Sequence, residues 1–272
     1  MRKYILISIT FLCNFTYSQN ILNLKFTYKP EKKYTISMVQ KSKNTIVYSG
    51  DKETLKEIAT QGVKNPTISE STITLDGNLK CGKLEKNKFP IEILYNKAES
   101  SEGIEIIPKD TKIYGTCEID SLPKFDSIVS KNMKNDVKKG ILDVVKSGFS
   151  QIKLPNKKIT IGEEITTEDP LSIPLGANKL DMIIVTKYKL ISIKNNLGYF
   201  DIIQDIKFTT KIEDTTMNAS GKGNGKLIYD IKNNIFSEFT TNYEMKLNFI
   251  VQGITMNLTS NTEQNVKTSI VN

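Results

Sequence analysis

The sequence predicts an α+β protein that is mainly antiparallel β, in which a curved, half-open barrel of strands wraps one long and one short helix. Three observations predict this fold class. Apolar and polar residues alternate through most of the chain, which is typical of half-buried strands. Short turns such as KNNLG and KNN separate the long alternating segments near the C-terminus, which favours a meander. Between two strand-rich halves, apolar residues recur at spacings of three and four, which indicates an amphipathic helix.

The N-terminus has the pattern of a secretory signal peptide. Arg2 and Lys3 precede the apolar run YILISITFLCNF, and the small residues Thr16 and Ser18 lie just before a predicted cleavage site. The run is shorter than the roughly 20 residues that a membrane-spanning helix needs. We therefore expect cleavage after Ser18, a periplasmic or secreted protein without a transmembrane anchor, and a single β-rich domain over residues 19–272.

Two alternatives would keep the N-terminus attached to a membrane. One is a retained anchor, against which the length of the apolar run argues. The other is lipid attachment at Cys13, although Leu12 rather than a small residue precedes that cysteine. Export leaves Cys81 and Cys117, which either form a disulfide in an oxidising compartment or are two buried thiols that never meet.

The absent residue types exclude several kinds of chemistry. The chain has no histidine and no tryptophan, and its one arginine lies in the predicted signal peptide. Without histidine there is no near-neutral general base of the usual kind, and zinc and copper lose their commonest ligand. The formal net charge is +8, but the lysines are scattered among acids, which favours a solvated surface over a nucleic-acid site. We therefore expect no catalytic residues, no metal, no cofactor and no nucleic-acid partner.

The N-terminal half is predicted to contain short strands and one short helix. Alternation predicts strands over residues 22–28 and 34–40, with a turn between them. Asp51 is a plausible N-cap of a helix that ends near Gly62. The tripeptide DGN at residues 76–78 predicts a tight hairpin turn. The segments LKCGKLE, FPIEILY and TKIYGTCEI read as further short strands.

The strongest helical pattern runs over residues 123–149. Pro123 suits a first turn, and Gly140 marks a place for a bend. The stripe consists of Phe125, Ile128, Val129, Met133, Val137, Ile141, Leu142, Val144, Val145 and Phe149. We expect this helix to lie along the apolar face of the sheet, and the alternative is an amphipathic helix on a membrane surface. A β-sandwich with the helix outside is the alternative architecture.

The segment SGKGNGK contains glycines at alternate positions, Gly221, Gly223 and Gly225. Its spacing is not that of a Walker loop, and it lacks the following helix that a dinucleotide fingerprint needs. A strand pattern, KLIYDI, follows instead. Alternate positions of a strand share a face, so we expect a face without side chains that another element approaches closely.

Several segments together resemble a family of exported bacterial domains of unknown function. They are KPEKKYTISMVQ, IGEEITTEDPLSIP, the strand pair around YKLISIKNNLGYF, and the glycine segment followed by YDIKNNIF. The family looks like the lipoprotein-carrier superfold of lipoprotein-localisation factors. The resemblance implies an unclosed β-barrel that wraps one or two helices around an apolar cavity and binds an acyl chain or another hydrophobic ligand. It carries over no catalytic residue.

The candidate lining residues of such a cavity come from the helical stripe and from the C-terminal strands. They are Ile128, Met133, Val137, Ile141, Val145, Tyr188, Leu190, Ile202, Leu247 and Phe249. A plain hydrophobic core is the alternative interpretation of the same residues.

Two sets of acidic residues are weaker candidates for chemistry. The segment GEEITTED could bind calcium, although its spacing matches no known calcium loop, and an exposed acidic turn is the alternative; its acids are Glu163, Glu164, Glu168 and Asp169. A carboxylate pair for glycoside hydrolysis could come from Asp201, Asp205 and Asp230, unless these simply lie on the wet face of the sheet.

Three hypotheses for function follow. The first is a non-enzymatic binder or carrier of a lipid or another apolar small molecule. The second is an envelope-associated structural or protein-interaction module with a packed core, no ligand and a protein partner. The third is a hydrolase that uses carboxylates alone. An empty apolar volume between the helix and the sheet would favour the first hypothesis over the second.

Overall fold

The computed structural model describes residues 20–131, 133–150, 157–175, 178–208, 217–251 and 253–271, so the predicted signal peptide lies outside the described residues. The helices are α1 (Lys52–Thr60) and α2 (Asn135–Ser150). The strands are β1 (Ile21–Leu24), β2 (Lys33–Ser49), β3 (Thr67–Cys81), β4 (Lys88–Ser100), β5 (Lys112–Glu118), β6 (Lys124–Val129), β7 (Lys157–Thr160), β8 (Glu164–Leu175), β9 (Asn178–Lys194), β10 (Leu197–Phe208), β11 (Met217–Asp230), β12 (Ile235–Val251) and β13 (Ile254–Val271).

Most of the described chain belongs to one antiparallel sheet of eleven strands. The order is β6-β5-β4-β3-β2-β13-β12-β11-β10-β9-β8, so two meanders meet where β13 pairs with β2. A separate two-stranded sheet consists of β1 and β7. The mainly antiparallel class, the two helices and the C-terminal meander from β8 to β13 are therefore confirmed. Strands β6 and β8 are the edges of the large sheet.

The turns of the C-terminal meander follow from their residues. Asn195 and Asn196 both have positive φ, 53° and 60°, and they connect β9 to β10. Two successive residues with positive φ make the hairpin turn whose twist matches that of the flanking strands, and asparagine tolerates this conformation well. Gly253, with φ at 79°, lies between β12 and β13. The KNNLG segment is thus a tight hairpin turn, as predicted.

Helix α1 forms as predicted, between β2 and β3. The Asp51 side chain accepts hydrogen bonds from the backbone N–H groups of Glu53 and Thr54, which satisfies two free donors of the first turn. Gly62 follows the last turn with φ at 80°, where a side chain would be strained. No residue of α1 is buried, so the helix is held mainly by its local contacts.

The prediction of a single helix over residues 123–149 is wrong. Its first part is strand β6, which pairs with β5, and the helix begins only at Asn135. The register shifts by one residue opposite Tyr114 and Gly115, which is a β-bulge. A bulge adds one residue to the alternation, so the inward-facing Phe125 and Ile128 acquire a spacing of three that mimics a helix.

The predicted hairpin turn at residues 76–78 is also wrong, because this tripeptide lies inside β3. The register between β3 and β4 shifts between Asp76 and Gly77, because β4 has a bulge opposite them at Asn96. A Cβ added at Gly77 would lie 3.1 Å from the carbonyl oxygen of Leu94. The glycine therefore permits a close approach of two backbones, which a glycine inside a strand commonly marks.

The predicted strand over residues 22–28 is shorter in the structure and pairs elsewhere. Only β1 is a strand, and it pairs with β7 instead of joining β2. Residues 25–29, which we call the strap, cross from β1 towards β2 without strand structure. The early alternating pattern thus contains a strand and a crossing segment.

In the part of the chain that the structure describes, three hydrophobic cores support the sheet. The first core lies between β2–β6 and α2, and Leu142 and Val145 of α2 are buried in it. The second core joins β1 and β7 to β8–β11, and its largest buried side chains include Phe200 and Tyr229. The third, smaller core is centred on Met182 and involves β9, β10 and β12. Helix α2 therefore packs against the N-terminal half of the sheet.

Candidate functional site

A cavity of about 540 Å³ lies beside the C-terminal half of the sheet. Strands β2, β8, β9, β10, β12 and β13 line it, together with the strap and the last turn of α2. Two thirds of the lining residues that the structure describes are aliphatic or aromatic. The aromatic ones are Phe26, Tyr28, Phe149, Tyr188, Phe236, Phe239 and Tyr243.

Strand alternation aims these side chains at the cavity. On β12, Phe239, Thr241, Tyr243 and Met245 line it, while the residues between them are on the other face. On β9 the lining residues are likewise every second one, Met182, Ile184, Thr186 and Tyr188. One face of a regular meander thus supplies most of the cavity wall.

The alternating glycines of β11 lie between β10 and β12, which both contribute side chains to this wall. In the sheet, Gly221 stands between Ile206 and Met245, and Gly223 stands between Gln204 and Tyr243. A Cβ at Gly221 would lie 2.9 Å from the Cβ of Ile206. The glycines therefore leave room for side chains of β10 and β12, which lean over β11.

Gly223 makes room for a specific polar group. A Cβ there would lie 3.0 Å from Oε1 of Gln204 and 3.1 Å from the Cβ of Tyr243. Gln204 in turn donates a hydrogen bond from Nε2 to Oγ1 of Thr186, at 3.2 Å. The predicted face without side chains is confirmed, and flanking side chains, not a helix, occupy the space over Gly221 and Gly223.

Five residues form a polar wall on the side of β8–β10: Thr167, Asp169, Thr186, Tyr188 and Gln204. Oγ1 of Thr167 donates a hydrogen bond to Oδ2 of Asp169, at 3.1 Å. The Tyr188 hydroxyl is hydrogen-bonded to Thr167 and Thr186. These side chains are adjacent because Thr167, Thr186 and Gln204 are direct cross-strand neighbours.

The electrostatic state of the polar wall follows from its burial. Asp169 is only 9% exposed. Burial raises the pKa of Tyr188 to about 12, and the neighbouring Asp169 carboxylate contributes to this rise by opposing a second negative charge. At neutral pH the Tyr188 hydroxyl is therefore protonated and serves as a hydrogen-bonding group.

A cluster of rings forms an aromatic end of the cavity. The ring of Phe26 lies 5.2 Å from that of Phe236 and 5.3 Å from that of Tyr28, measured between centroids. Tyr28 also contacts Phe149 of α2, at 6.4 Å. Such edge-to-face and tilted pairs are favourable beyond the apolar area that they bury. Burial raises the pKa of Tyr28 well above its usual value, so its hydroxyl stays neutral.

Two buried tyrosines hold the strap over this end. The Tyr229 hydroxyl donates a hydrogen bond to the carbonyl oxygen of Lys25, at 2.6 Å, and the N–H of Lys25 donates back to it at 3.2 Å. The N–H of Lys29 donates to the Tyr34 hydroxyl at 2.9 Å. The strap therefore has one anchor at each of its ends, and it presents Phe26 and Tyr28 to the cavity between them.

Ten residues were predicted to line a cavity, and of these Tyr188 alone lines the cavity described above. The candidates from the predicted helix belong to β6, to α2 and to the segment between them, and four of the five lie in or against the first core. Val145 is buried there, and Ile128, Met133 and Ile141 are partly buried against it. Val137 is 49% exposed.

The candidates on the C-terminal strands belong to the other two cores. Leu190 and Ile202 are buried in the second core, while Leu247 and Phe249 lie in or against the third. The expectation that these four residues surround the cavity is therefore corrected. Their side chains lie on the same face of the sheet as the cavity, but at other positions along the strands. The alternation in DMIIVTKYKL was a usable signal for Met182, Ile184 and Thr186. Alternation over residues 22–28 put Phe26 and Tyr28 on one face of a predicted strand, but it did not indicate that they line a cavity.

Cys81 and Cys117 are free, buried thiols. Cys81 of β3 pairs with Ile91 of β4, and Cys117 of β5 pairs with Phe89 of β4, so β4 separates them. Two strand spacings put their Cα atoms at least about 10 Å apart, beyond the roughly 7 Å that a disulfide spans. Burial raises their pKa values to about 12 and about 11. The structure thus has two separate buried thiols and not the alternative of a disulfide between Cys81 and Cys117.

The acidic candidates do not come together as a site. Among the described residues, no group of three or more Asp, Glu, Cys or His side chains could hold a metal ion. Glu163 accepts hydrogen bonds from Lys157 and from the N–H of Thr160, and these lower its pKa. Asp201 and Asp205 are exposed on β10. Glu164 forms an ion pair with Lys187, and Glu168 is exposed. Asp169 lines the cavity, and Asp230 accepts a hydrogen bond in the turn after β11.

A second hollow, of about 740 Å³, is polar. Apart from Tyr243, its lining consists of charged, amide and hydroxyl side chains from β2, β3, β11, β12 and β13 and from the end of β4. An ion pair between Lys43 and Glu70, at 2.8 Å, lies in it. Water suits such a surface, so the apolar cavity is the stronger candidate for a ligand site.

Comparisons with known proteins add no family to these observations. No protein-family model matches the chain, and no curated protein is significantly similar to it. Within the part of the chain that the structure describes, neither helix is long and apolar enough to cross a membrane.

Proposed function

We propose that this protein is an exported, non-enzymatic binder or carrier of a hydrophobic ligand, such as an acyl chain or another lipid. The observation that carries the proposal is the mainly apolar cavity of about 540 Å³. Ligand sites typically have volumes of about 300–1,000 Å³, apolar linings and a few placed polar groups. Burial of the ligand's apolar surface, at about 25 cal/mol per Å², would supply most of the affinity.

The lining favours binding over catalysis. Asp169 is the one carboxylate among the lining residues that the structure describes, whereas a carboxylate-only hydrolase needs two that face each other. The chain has no histidine to act as a base. The raised pKa of Tyr188 opposes its ionisation, so this hydroxyl is a poor nucleophile.

We further propose that the large sheet, together with α2, forms a half-open barrel of the lipoprotein-carrier type. Its open edges, its antiparallel meander and its apolar cavity support that resemblance. Residues 1–18 would act as the signal peptide, so the protein would work in the periplasm or outside the cell. N-terminal sequencing of the exported protein tests this directly, because Gln19 should be its first residue.

A surface-acting envelope module is the second candidate function. On α2, Val144 is 67% exposed and Val137 is 49% exposed, although both are apolar. A protein partner in the envelope could cover them. In that case a change inside the cavity would leave the function of the protein unaltered.

The experiment that separates the two candidates fills the cavity. Thr241→Phe places a ring at a buried lining position, and Asn242→Phe places the same ring at the next, exposed position of β12. The measurement is the fluorescence of an uncharged apolar dye, N-phenylnaphthylamine, titrated with each purified protein. Unfolding curves in urea establish that both variants are folded.

We expect the wild type and Asn242→Phe to bind the dye alike, and Thr241→Phe to bind it at least about tenfold more weakly, since about 1.4 kcal/mol corresponds to a factor of ten. Equal binding by all three proteins would show that the dye does not use the cavity. Absence of binding by the wild type would favour the surface-acting module.

A further inference from the structure

The cavity has polar lining residues on β12 and β13 as well as on the polar wall. Thr241, Tyr243 and Gln264, which we call the polar patch, are neighbours, because Thr241 pairs with Gln264 and Tyr243 lies two residues further along β12. Across the sheet, Tyr243 is in register with Gln204 and Thr186 of the polar wall. Polar residues of β9, β10, β12 and β13 thus form one band across the wall of the cavity.

Apolar lining residues lie on both sides of this band. On the side that leads to the aromatic end, Phe239 and Val266 are cross-strand partners. On the other side, the next row contains three apolar residues, Ile184, Ile206 and Met245. Asp169, on the edge strand β8, is the polar lining residue of that row. Successive rows on one face are about 7 Å apart, so a ligand that fills the cavity meets apolar, polar and apolar surface in turn.

The polar patch has hydrogen-bonding capacity that the protein itself does not use. Thr241 is 2% exposed, and within the part of the chain that the structure describes its hydroxyl has no hydrogen-bond partner. Every fully enclosed side-chain N or O atom of the described residues does have a partner, so the Thr241 hydroxyl oxygen must reach the space of the cavity. The Gln264 amide donates from Nε2 to Sδ of Met38, at 3.3 Å, and a thioether is a weak acceptor.

A neutral carbonyl group suits these side chains. Hydroxyl and amide N–H groups both donate, and a carbonyl oxygen accepts, so the polar patch can satisfy it and gain a partner in return. A carboxylate or phosphate would be buried without a cationic partner, since none of the lining residues that the structure describes is a lysine or an arginine. An ester carbonyl is uncharged and can lie between two apolar chains, as the three bands require.

Resting on the proposed function, we propose that the ligand is a neutral lipid with an ester or a comparable carbonyl group between two apolar segments. Thr241 and Gln264 donate hydrogen bonds to the carbonyl oxygen. One segment extends to the aromatic end, and the other lies along Ile184, Ile206 and Met245. Thr241 is the residue that determines where along the ligand the carbonyl group has to be.

The test compares two isomeric esters, hexyl hexanoate and methyl undecanoate, as competitors of N-phenylnaphthylamine. Both contain the same atoms, but the carbonyl lies near the middle of the first and near one end of the second. Thr241→Val keeps the shape of the side chain and removes its hydroxyl. Thr166→Val is the matched control, because it makes the same change at an exposed position of β8. The ratio of the two affinities is the readout, since a change of packing alone would affect both isomers alike.

We expect the wild type and Thr166→Val to bind hexyl hexanoate about fivefold more tightly than methyl undecanoate, which corresponds to the roughly 1 kcal/mol of one hydrogen bond. Thr241→Val should bind the two esters alike. A folded Thr241→Val that keeps the preference would overturn the inference while the proposed function stands.

If Thr241→Val does not fold, the wild type decides. A wild type that binds the dye but prefers neither ester, or binds neither, also overturns the inference alone. Failure of the wild type to bind the dye and both esters overturns the proposed function as well.

Discussion

At the scale of the residue, Gly223 connects the sequence pattern to the cavity. Its missing side chain leaves the space into which the Gln204 amide leans, and that amide bonds to Thr186 of the polar wall. The alternation of Gly221, Gly223 and Gly225 predicted a strand face without side chains. It could not predict that polar and apolar side chains of β10 and β12 fill that space, since strand register is a property of the folded sheet.

Gly223→Val should therefore destabilise the protein. The new side chain would displace Gln204 and Tyr243, and overpacking of this kind costs about 1–3 kcal/mol. The control is Lys222→Val, which adds the same side chain at an exposed position of β11. The measurement is the free energy of unfolding in urea. Equal stability of the two variants would show that the space over Gly223 is not constrained.

The pKa of Tyr188 predicts a pH dependence of stability. A tyrosine in the unfolded chain has its ordinary pKa of about 10, and burial raises the pKa of Tyr188 in the folded protein to about 12. Between these values the unfolded state binds fewer protons than the folded state, so the free energy of unfolding decreases as pH rises, by up to about 1.4 kcal/mol per pH unit for one such group. Below pH 10 this group has little effect.

Tyr188→Phe should accordingly weaken the loss of stability between pH 10 and 12. Tyr199→Phe is the control, because Tyr199 is a partly buried tyrosine on the neighbouring strand. Urea unfolding at several pH values measures both slopes. A slope that Tyr188→Phe leaves unchanged would mean that Tyr188 is well solvated in the folded protein.

At the scale of the element, the strap depends on the hydroxyl of Tyr229. Tyr229→Phe removes both hydrogen bonds to Lys25 and should cost about 1 kcal/mol or somewhat more, because the backbone groups of Lys25 lose a partner. Amide hydrogen exchange should become faster in residues 25–29. Tyr199→Phe should leave that exchange unchanged. Slow exchange in both variants would show that the strap does not depend on this anchor.

The boundary between β6 and α2 shows what sequence periodicity can and cannot resolve. The helical half of the stripe was predictable, and α2 buries Leu142 and Val145 as an amphipathic helix should. The strand structure of the first part of the stripe was not predictable, because the bulge in β6 gives Phe125 and Ile128 the spacing of a helix. Only the pairing with β5, a contact that no local pattern contains, decides between the two structures.

Gly115→Ala tests that pairing. A Cβ at Gly115 would lie 2.8 Å from Cα of Phe125 and would contact the carbonyl oxygen of Lys124, so β5 and β6 would have to separate. We expect a loss of roughly 1–3 kcal/mol in the free energy of unfolding. Gly140→Ala is the control, since nothing lies within 4 Å of a Cβ there and alanine favours a helix. A neutral Gly115→Ala would contradict the close approach of the two strands.

At the scale of the whole molecule, the class of the fold was predictable, but the position of the cavity was not. Strands of 17 or 18 residues are longer than any one core, so a single strand contributes to several environments. On β12, Phe239 and Tyr243 line the cavity, whereas Leu247 is buried in the third core. Alternation gives the face on which each residue lies, and only the folded sheet determines what lies over it.

The central claim is that the cavity holds a hydrophobic ligand, and recovery of that ligand tests it most directly. The protein is refolded from denaturant, exposed to a mixture of lipids, purified again and analysed by mass spectrometry beside Thr241→Phe and Asn242→Phe. We predict that the wild type and Asn242→Phe retain a lipid and that Thr241→Phe does not. A folded wild-type protein that emerges free of lipid, or equal retention by all three proteins, would contradict the claim.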